Sequence, residues 1–248
     1  MQNDDKILKN RFSELAARSI ARGCFYYTDF LNMAEQDVLF SLRYNIPVKL
    51  FGGFDGTERC IARFGDEETF GWDEPFPVKC IYIAPASQKL SQMLSHRDFL
   101  GALLSCGVRR EKVGDILVFE NSAYVFCYDS IAEFISENLS EVKHTSVKCS
   151  YSSQIPQNVF PSPEEKNVVI ASERLDAVVA AVYNLSRTES QSLFAQKKIF
   201  VNSRVTENTS FQPETDDVIS VRGFGRFIYS GVLKETQKGR LRVSVKVY

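Results

Sequence analysis

The sequence predicts an α+β protein in which N-terminal helices and small α/β-plait subdomains precede a C-terminal module of two helices on a small, bent antiparallel sheet. Apolar residues recur at spacings of three and four in several segments, which is the period of amphipathic helices. Short β-rich runs alternate with these segments, and Asp55-Gly56 separates two of the runs, as a hairpin turn does. A stretch with three prolines and no apolar periodicity, residues 154–167, divides the chain.

The N-terminal region, residues 1–75, is predicted to hold two helices and a β-hairpin. The first helix rests on apolar residues at helical spacing, namely Ile7, Leu8, Phe12, Leu15, Ala16 and Ile20. The second begins at Asn32, where Asn-Met-Ala-Glu has the form of a capping box, and ends near Tyr44. Residues 48–54 and 57–64 flank Asp55-Gly56 and are expected to pair as antiparallel strands.

Strands and helices alternate in the central region, residues 76–153. Strands are predicted at 78–83, 115–119, 123–128 and 142–149, and helices at 95–106 and 130–138. Elements of this length in this order predict an α/β plait, in which helices pack on a small sheet.

The C-terminal region, residues 168–248, follows the linker predicted at 154–167. Ser172 is expected to cap a helix whose apolar stripe consists of Leu175, Val178, Val179 and Val182. Ser186-Arg187-Thr188-Glu189 forms a capping box that opens a second helix, which ends near Lys197. A turn at Asn202-Ser203 then follows the first of several strands.

Composition excludes several classes of protein. The 44% apolar and 25% charged content is that of an ordinary globular chain, and no apolar run approaches the roughly 20 residues that span a bilayer. The six cysteines lie in no C-x-x-C pair, and His96 and His144 are the only histidines, so no metal site or cofactor is expected. The acidic, polar N-terminus lacks the features of a signal peptide, which predicts a cytoplasmic protein.

The net charge of −1 conceals an asymmetry along the chain. Residues 171–248 contain 12 Lys and Arg against 8 Asp and Glu, so the first 170 residues carry the compensating net charge of −5. The C-terminal region is therefore the more suitable part for binding a polyanion.

The C-terminal pattern resembles the S4 RNA-binding domain. The resemblance is carried by four motifs in order: Arg174-Leu-Asp176, Ser186-Arg187, Val201-Asn202 and Asp217-x-Ile-x-Val-Arg222-Gly223. It covers nearly all of residues 172–230. Each motif is weak alone, but the ordered set is specific, and it implies an RNA-binding fold shared by a ribosomal protein, tyrosyl-tRNA synthetases and pseudouridine synthases.

Upstream motifs narrow the resemblance to the bacterial YlmH proteins. They are Phe51-Gly-Gly-Phe-Asp-Gly-Thr-Glu-Arg59, His96-Arg97-Asp98-Phe-Leu-Gly-Ala-Leu-Leu and Val108-Arg109-Arg110-Glu-Lys112-Val-Gly114-Asp115-Ile. This likeness implies a protein encoded with cell-division genes that acts in ribosome quality control. It also implies that the central region, residues 76–153, is an RNA-binding-like domain before the S4 domain. The implied partners of the protein are rRNA and tRNA on a large ribosomal subunit whose stalled nascent chain remains attached to tRNA, and we expect it to be monomeric.

These likenesses and the helix positions select the candidate RNA contacts Arg174, Asp176, Ser186, Arg187, Lys197, Lys198, Asn202, Arg222 and Arg226. Arg187 is the strongest candidate for an RNA contact. A cation at the first position of a helix opposes the helix dipole, so Arg187 does not stabilise the helix there. It could grip a phosphate together with the free N–H groups of that helix. Asp176 is expected to orient a neighbouring arginine.

A second RNA or ribosome contact is predicted in the central region, at Arg97, Arg109, Arg110 and Lys112. The last three are expected in a basic loop at a helix end.

An S4-domain RNA-modifying enzyme is the alternative of another class. A methyltransferase needs a glycine-rich loop after a strand, and none is present. A pseudouridine synthase needs its aspartate in a different context from that of Arg174-Leu-Asp176, and no catalytic residues can be nominated. We therefore expect no enzyme activity. A protein-interaction module linked to cell division is the remaining alternative.

Overall fold

The computed structural model describes residues 2–87, 93–160 and 162–248, without the side chains of residues 2–4. The chain divides into two compact units, residues 1–160 and 161–248. Each unit has a hydrophobic core of its own. Over the described residues, no helix has both the length and the apolar character that a bilayer crossing requires.

The N-terminal part of the first unit packs three helices on a three-stranded antiparallel sheet. In chain order its elements are α1 (Gln2–Arg22), β1 (Tyr26–Leu31), α2 (Met33–Phe40), β2 (Val48–Phe51), β3 (Cys60–Phe64) and α3 (Glu67–Phe70), with the sheet order β1-β3-β2. Strands β2 and β3 pair antiparallel as predicted, and the Asn32 capping box forms. The predicted two-residue turn at Asp55-Gly56 is wrong, because residues 52–59 separate the strands and the N–H groups of Glu58 and Arg59 donate to Asp115 instead. Strand β1 was not predicted, and α2 ends four residues before Tyr44.

The central part of the first unit is the predicted α/β plait. Its elements are β4 (Val78–Pro85), α4 (His96–Ser105), β5 (Val113–Phe119), β6 (Ser122–Tyr128), α5 (Asp129–Asn138), β7 (Glu141–Val142) and β8 (Thr145–Tyr151). The strand order β5-β6-β4-β8-β7 is antiparallel throughout, and the β-α-β-β-α-β connectivity is that of ferredoxin-like folds. Helices α4 and α5 contribute Phe99, Leu103 and Ile135 to a core against one face of this sheet.

A network of hydrogen bonds connects the N-terminal sheet to the plait. The partly buried Arg59 donates through Nε to the carbonyl oxygen of Val113 at 2.9 Å and through Nη2 to that of Phe30 at 2.9 Å. The Asp115 carboxylate accepts the backbone N–H groups of Glu58 and Arg59 at 2.7 and 3.1 Å. These residues belong to the motifs that indicated the family, so part of that pattern is explained by the packing of two sheets.

The second unit is two helices on one face of a six-stranded antiparallel sheet. Its elements are β9 (Glu164–Ile170), α6 (Leu175–Tyr183), α7 (Arg187–Ala195), β10 (Ile199–Val201), β11 (Arg204–Val205), β12 (Val218–Val221), β13 (Gly225–Glu235) and β14 (Leu241–Val247). The sheet order is β11-β10-β12-β13-β14-β9. The apolar stripe of α6 is fully buried, as predicted, against side chains of the sheet.

Two local predictions in this region are wrong. Residues 164–167 were assigned to the linker, but they form the first half of β9, which pairs with β14 along its whole length. Ser172 does not cap the first helix, because α6 begins at Leu175 with Arg174 at its N-cap. Residues 157–159 form a 3₁₀ turn, and Val159 is buried against the plait, so part of the expected linker is packed.

Candidate functional site

A groove of about 520 Å³ in the second unit brings three candidate residues together. It runs between β9 and α6 to the corner before α7, over a floor of small residues that includes Ala177, Ala180 and Ala181. Arg174, Asp176 and Arg187 line it. A groove with small residues in its floor and cations at its rim can admit a sugar-phosphate backbone.

Arg174 is held in place by Asp176. Its Nε and Nη2 donate to Oδ1 and Oδ2 of the carboxylate at 3.0 Å each, and Nη2 also lies 3.4 Å from the Thr209 hydroxyl. The Asp176 side chain is only 3% exposed, and Gln191 donates to it at 3.3 Å. Burial raises the pKa of Asp176, but the hydrogen bonds from Arg174 and Gln191 outweigh burial and leave that pKa below its ordinary value. Asp176 thus has the orienting position that the sequence predicted.

Arg187 occupies the first position of α7, directly after its N-cap. Ser186 Oγ accepts the N–H of Glu189 at 3.2 Å, and the Glu189 carboxylate accepts the N–H of Ser186 at 2.8 Å, which completes the predicted capping box. Arg187 is exposed and forms no ion pair with any residue that the structure describes. Its guanidinium is therefore available at a helix end whose dipole attracts anions.

Lys198 and Arg222 lie next to each other at one end of the sheet. The Lys198 carbonyl oxygen accepts the Arg222 N–H at 2.9 Å, and no ion pair is formed by either side chain within the described part of the chain. Lys197 differs, because its Nζ lies 3.1 Å from Glu207 in an exposed ion pair. Lys198 and Arg222 are thus the better candidates for a phosphate contact at this end.

Asn202 is used by the fold. Its Nδ2 donates to Asp217 Oδ1 at 2.7 Å, and its Oδ1 accepts the Val218 N–H at 2.9 Å. Its backbone has a φ of 49°, which Asn tolerates better than most residues. This side chain fixes the turn between β10 and β11 against the start of β12.

We expect Asn202→Ala to destabilise the protein by about 1–2 kcal/mol, since two hydrogen bonds and a favourable left-handed residue are lost. RNA affinity of the folded variant should be unchanged. Chemical denaturation and an RNA titration check the two halves of this expectation. A stable variant with weakened RNA binding would instead place Asn202 in the interface.

Arg226 is stacked rather than free. Its guanidinium carbon lies 4.2 Å from the centroid of the Tyr248 ring, and Tyr248 N–H donates to the Arg226 carbonyl at 3.1 Å. Before it, Gly223 and Gly225 have φ of 93° and 123°, which allows the turn between β12 and β13. The stacking holds the Arg226 guanidinium on the surface of the sheet.

The central candidates do not form the expected basic loop. Arg97 is exposed near the start of α4, and Arg109 pairs with Glu111 at 3.3 Å on the surface. Arg110 turns inward, where its Nη1 donates to the Val113 carbonyl at 2.6 Å. Burial, and next the charge of Arg59, lower the pKa of Arg110 to about 10.

Lys112 also turns inward. Its Nζ lies 2.5 Å from Asp29 Oδ1 and 4.1 Å from the centroid of the Tyr128 ring. Arg110 and Lys112 therefore hold the N-terminal sheet to the plait. Of the four central candidates, Arg97 is the exposed one that forms no ion pair with a described residue.

The second face of the plait carries aromatic residues that sequence reasoning missed. Tyr82 and Tyr124, on the two central strands β4 and β6, have ring centroids 4.8 Å apart. Central-strand aromatics stack bases in some RNA-binding sheets. Here Tyr124 is only 8% exposed, and Val159 and Phe160 pack against its cluster. The alternation Tyr124-x-Phe126 was the available signal. This face is covered in part by the chain itself, so the groove is the more accessible candidate.

No group of three or more potential metal ligands occurs among the described residues.

Three comparisons relate the chain to known proteins. A family model described as "Putative RNA-binding domain in YlmH" matches residues 73–154, which span the plait. The ribosome-associated protein quality control protein P2 of Bacillus subtilis is 29% identical over 220 residues, covering 88% of this chain and 85% of that protein. The structure of cell division protein YlmH from Streptococcus pneumoniae matches 60% of this chain and 91% of its own, with a TM-score of 0.50 and 16% identity.

These findings confirm two predictions. The resemblance to the YlmH family is confirmed by the family model and by the B. subtilis relative. The mixed α/β class is confirmed by the architecture and by the S. pneumoniae structure, whose low identity supports the fold alone.

Proposed function

We propose that this YlmH-like chain is a non-enzymatic RNA-binding protein that acts in ribosome-associated quality control. In this proposal it is a monomer that contacts rRNA and tRNA on a large ribosomal subunit with a stalled nascent chain. Its second unit is an S4-type domain whose groove binds the RNA backbone, with the first unit, residues 1–160, as a separate module. The proposal is supported by the B. subtilis relative and by the RNA-binding family model across the plait.

The observation that carries the proposal is the position of Arg187 and its lack of a paired carboxylate among the described residues. Arg187 is exposed at the first position of α7, and within the described chain no carboxylate pairs with it. Such a cation is unfavourable for the helix by itself, so its position makes sense when an anion completes the site. Arg174 lies in the same groove with its guanidinium oriented by Asp176, so the two arginines can engage neighbouring phosphates.

A binding role fits Asp176 better than a catalytic one. A catalytic carboxylate must reach its substrate with a free oxygen. Both Asp176 oxygens accept hydrogen bonds from Arg174, and the side chain is almost fully buried. The groove therefore presents donors to RNA and keeps its one carboxylate engaged.

Sedimentation tests the proposal. Tagged protein added to a bacterial lysate should travel with large ribosomal subunits in a gradient, and its amount there should rise when subunits carrying peptidyl-tRNA accumulate. The Arg187→Ala variant should remain near the top of the gradient, while Arg43→Ala, which removes an exposed arginine from the first unit, should behave as the wild type. Wild-type protein that stays at the top under both conditions would refute the ribosomal role.

A further inference from the structure

The hairpin of β13 and β14 concentrates positive charge at the end of the chain. Residues 226–248 contain six Lys and Arg and one acidic residue, Glu235, although the whole chain has a net charge of −1. Five of the cations are exposed, namely Lys234, Lys238, Arg240, Arg242 and Lys246. The hairpin thus carries an excess of positive charge that the rest of the chain balances.

None of these five side chains forms an ion pair with a described residue. Some exposed cations elsewhere are paired, as Lys197 is with Glu207 and Arg109 with Glu111, and others, such as Arg187 and Arg222, are not paired with any described residue. Acidic residues are not scarce in the chain, which has 31 of them. Without ion pairs to described residues, the five hairpin cations are available to a ligand, and Glu165, which lies across from Lys246 in the β14–β9 register, accepts the Ser244 hydroxyl at 3.0 Å.

The register of the strands places three of the cations on one face. Val243 and Val245 are completely buried on the side of α6 and α7, so the alternating residues Arg242 and Lys246 point to the opposite face. Lys234 lies directly across from Arg242 in the β13–β14 register. Like charges directly opposite each other destabilise a sheet, so the fold by itself gains nothing from this pair.

Protection of an exposed strand edge accounts for only part of this arrangement. Lysine on an edge strand discourages pairing with other chains. The pairing of β13 with β12 extends no further than Ile228 towards the tip, so Lys234 can serve that purpose. Strand β14, however, is paired on both sides, with β13 and with β9. Arg242 and Lys246 therefore do not guard an edge.

We propose that the face formed by Lys234, Arg242 and Lys246 is a second RNA-binding surface, which takes the phosphate backbone of duplex RNA without reading its sequence. The proposal rests on the RNA-binding function proposed above and assigns a contact separate from the groove. Arg242 and Lys246 lie about 14 Å apart along the strand at ~3.4 Å per residue, so they reach different phosphates. The groove and this face together would bind two segments of one RNA, which raises affinity through effective concentration.

The test uses the full chain with Lys234, Arg242 and Lys246 changed together to Gln, and an RNA hairpin with an uninterrupted stem as the probe. Affinity should fall about tenfold at physiological salt, and the slope of log affinity against log salt should become shallower by about 2–3. The melting temperature should hold or rise, because the pair of like charges is removed. The control changes three exposed lysines of the N-terminal region, Lys6, Lys9 and Lys49, to Gln, and it should leave affinity and slope unchanged.

The outcomes separate this inference from the function on which it rests. If Arg187→Ala weakens binding to the same RNA but the triple variant binds as the wild type, the second surface is wrong and the function stands. If neither variant changes the affinity, the proposed function fails as well. A triple variant that aggregates while keeping its RNA affinity would assign the cations to solubility. Loss of binding to anionic vesicles without loss of RNA binding would assign them to lipid. Either result overturns the proposal.

Discussion

Arg187→Ala is expected to weaken RNA binding by about tenfold to a hundredfold and to leave the fold intact or slightly more stable. The loss follows from the roughly 1.5–3 kcal/mol that a charge-assisted hydrogen bond contributes. The free energy of unfolding should stay the same or rise slightly, because an exposed cation at a helix N-terminus destabilises the helix by about 0.3–1 kcal/mol. An RNA titration and a thermal melt of the same variant measure both.

Two further variants show why the loss occurs. Arg187→Lys keeps the charge but not the planar, two-pronged donor, so it should recover only part of the affinity. Ser186→Ala removes the N-cap hydrogen bond to Glu189 and should cost about 1 kcal/mol of stability, with little effect on the affinity of the folded protein. Comparing Ser186→Ala with the Arg187 variants therefore distinguishes fraying of α7 from loss of the Arg187 contact with RNA.

The expectation for Arg187 can fail in a definite way. A variant with a lower melting temperature and unchanged affinity would make Arg187 a residue of the fold. The groove would then lose its main argument as the RNA surface, and Lys198 and Arg222 at the end of the sheet would become the next positions to test.

Features held by short-range interactions were predictable from the sequence. The capping boxes at Asn32 and Ser186 depend on residues three positions apart, and both are present. The position of Arg187 followed from the second of them. The buried stripe of α6 follows from its apolar period.

Features that depend on distant partners were not predictable. Strand β9 begins with the polar residues Glu164 to Asn167 and is a strand because β14, more than seventy residues away, pairs with it. Arg110 and Lys112 read as a solvated basic loop, but their donors are satisfied by a strand carbonyl and by Asp29 of another sheet. A run of basic residues in a sequence predicts an exposed basic surface only when no acceptor inside the fold binds those side chains.

Asp176→Asn is expected to destabilise the protein by about 2–3 kcal/mol at neutral pH. Breaking a buried ion pair costs roughly 3–5 kcal/mol, and the Arg174 side chain retains 32% exposure, which reduces the cost. For a unit of this size such a loss lowers the melting temperature by about 10 °C or more. Denaturant unfolding and a thermal melt give both quantities.

The pKa of Asp176 fixes how this loss varies with pH. Because it lies below the ordinary value of 3.8 in the folded protein, the carboxylate stabilises the fold above about pH 4, and this contribution is lost as pH falls through the folded pKa. The difference in stability between Asp176→Asn and the wild type should therefore be constant from pH 5 to 7 and shrink in acid. A difference that stays constant into acid would mean that ionisation of Asp176 contributes nothing to stability.

The same variant shows whether Asp176 positions Arg174 for RNA. Removal of a negative charge beside phosphates should strengthen binding if only net charge mattered. If the carboxylate instead holds the guanidinium in its binding orientation, the affinity measured well below the melting transition should fall severalfold. Glu207→Gln is the matched control, because it frees Lys197 from an exposed pair and should change stability by less than about 1 kcal/mol. Tighter RNA binding by Asp176→Asn would contradict the positioning role. Asp176 would then serve the fold alone, and Arg174 would contribute to RNA binding through its charge and not through its orientation.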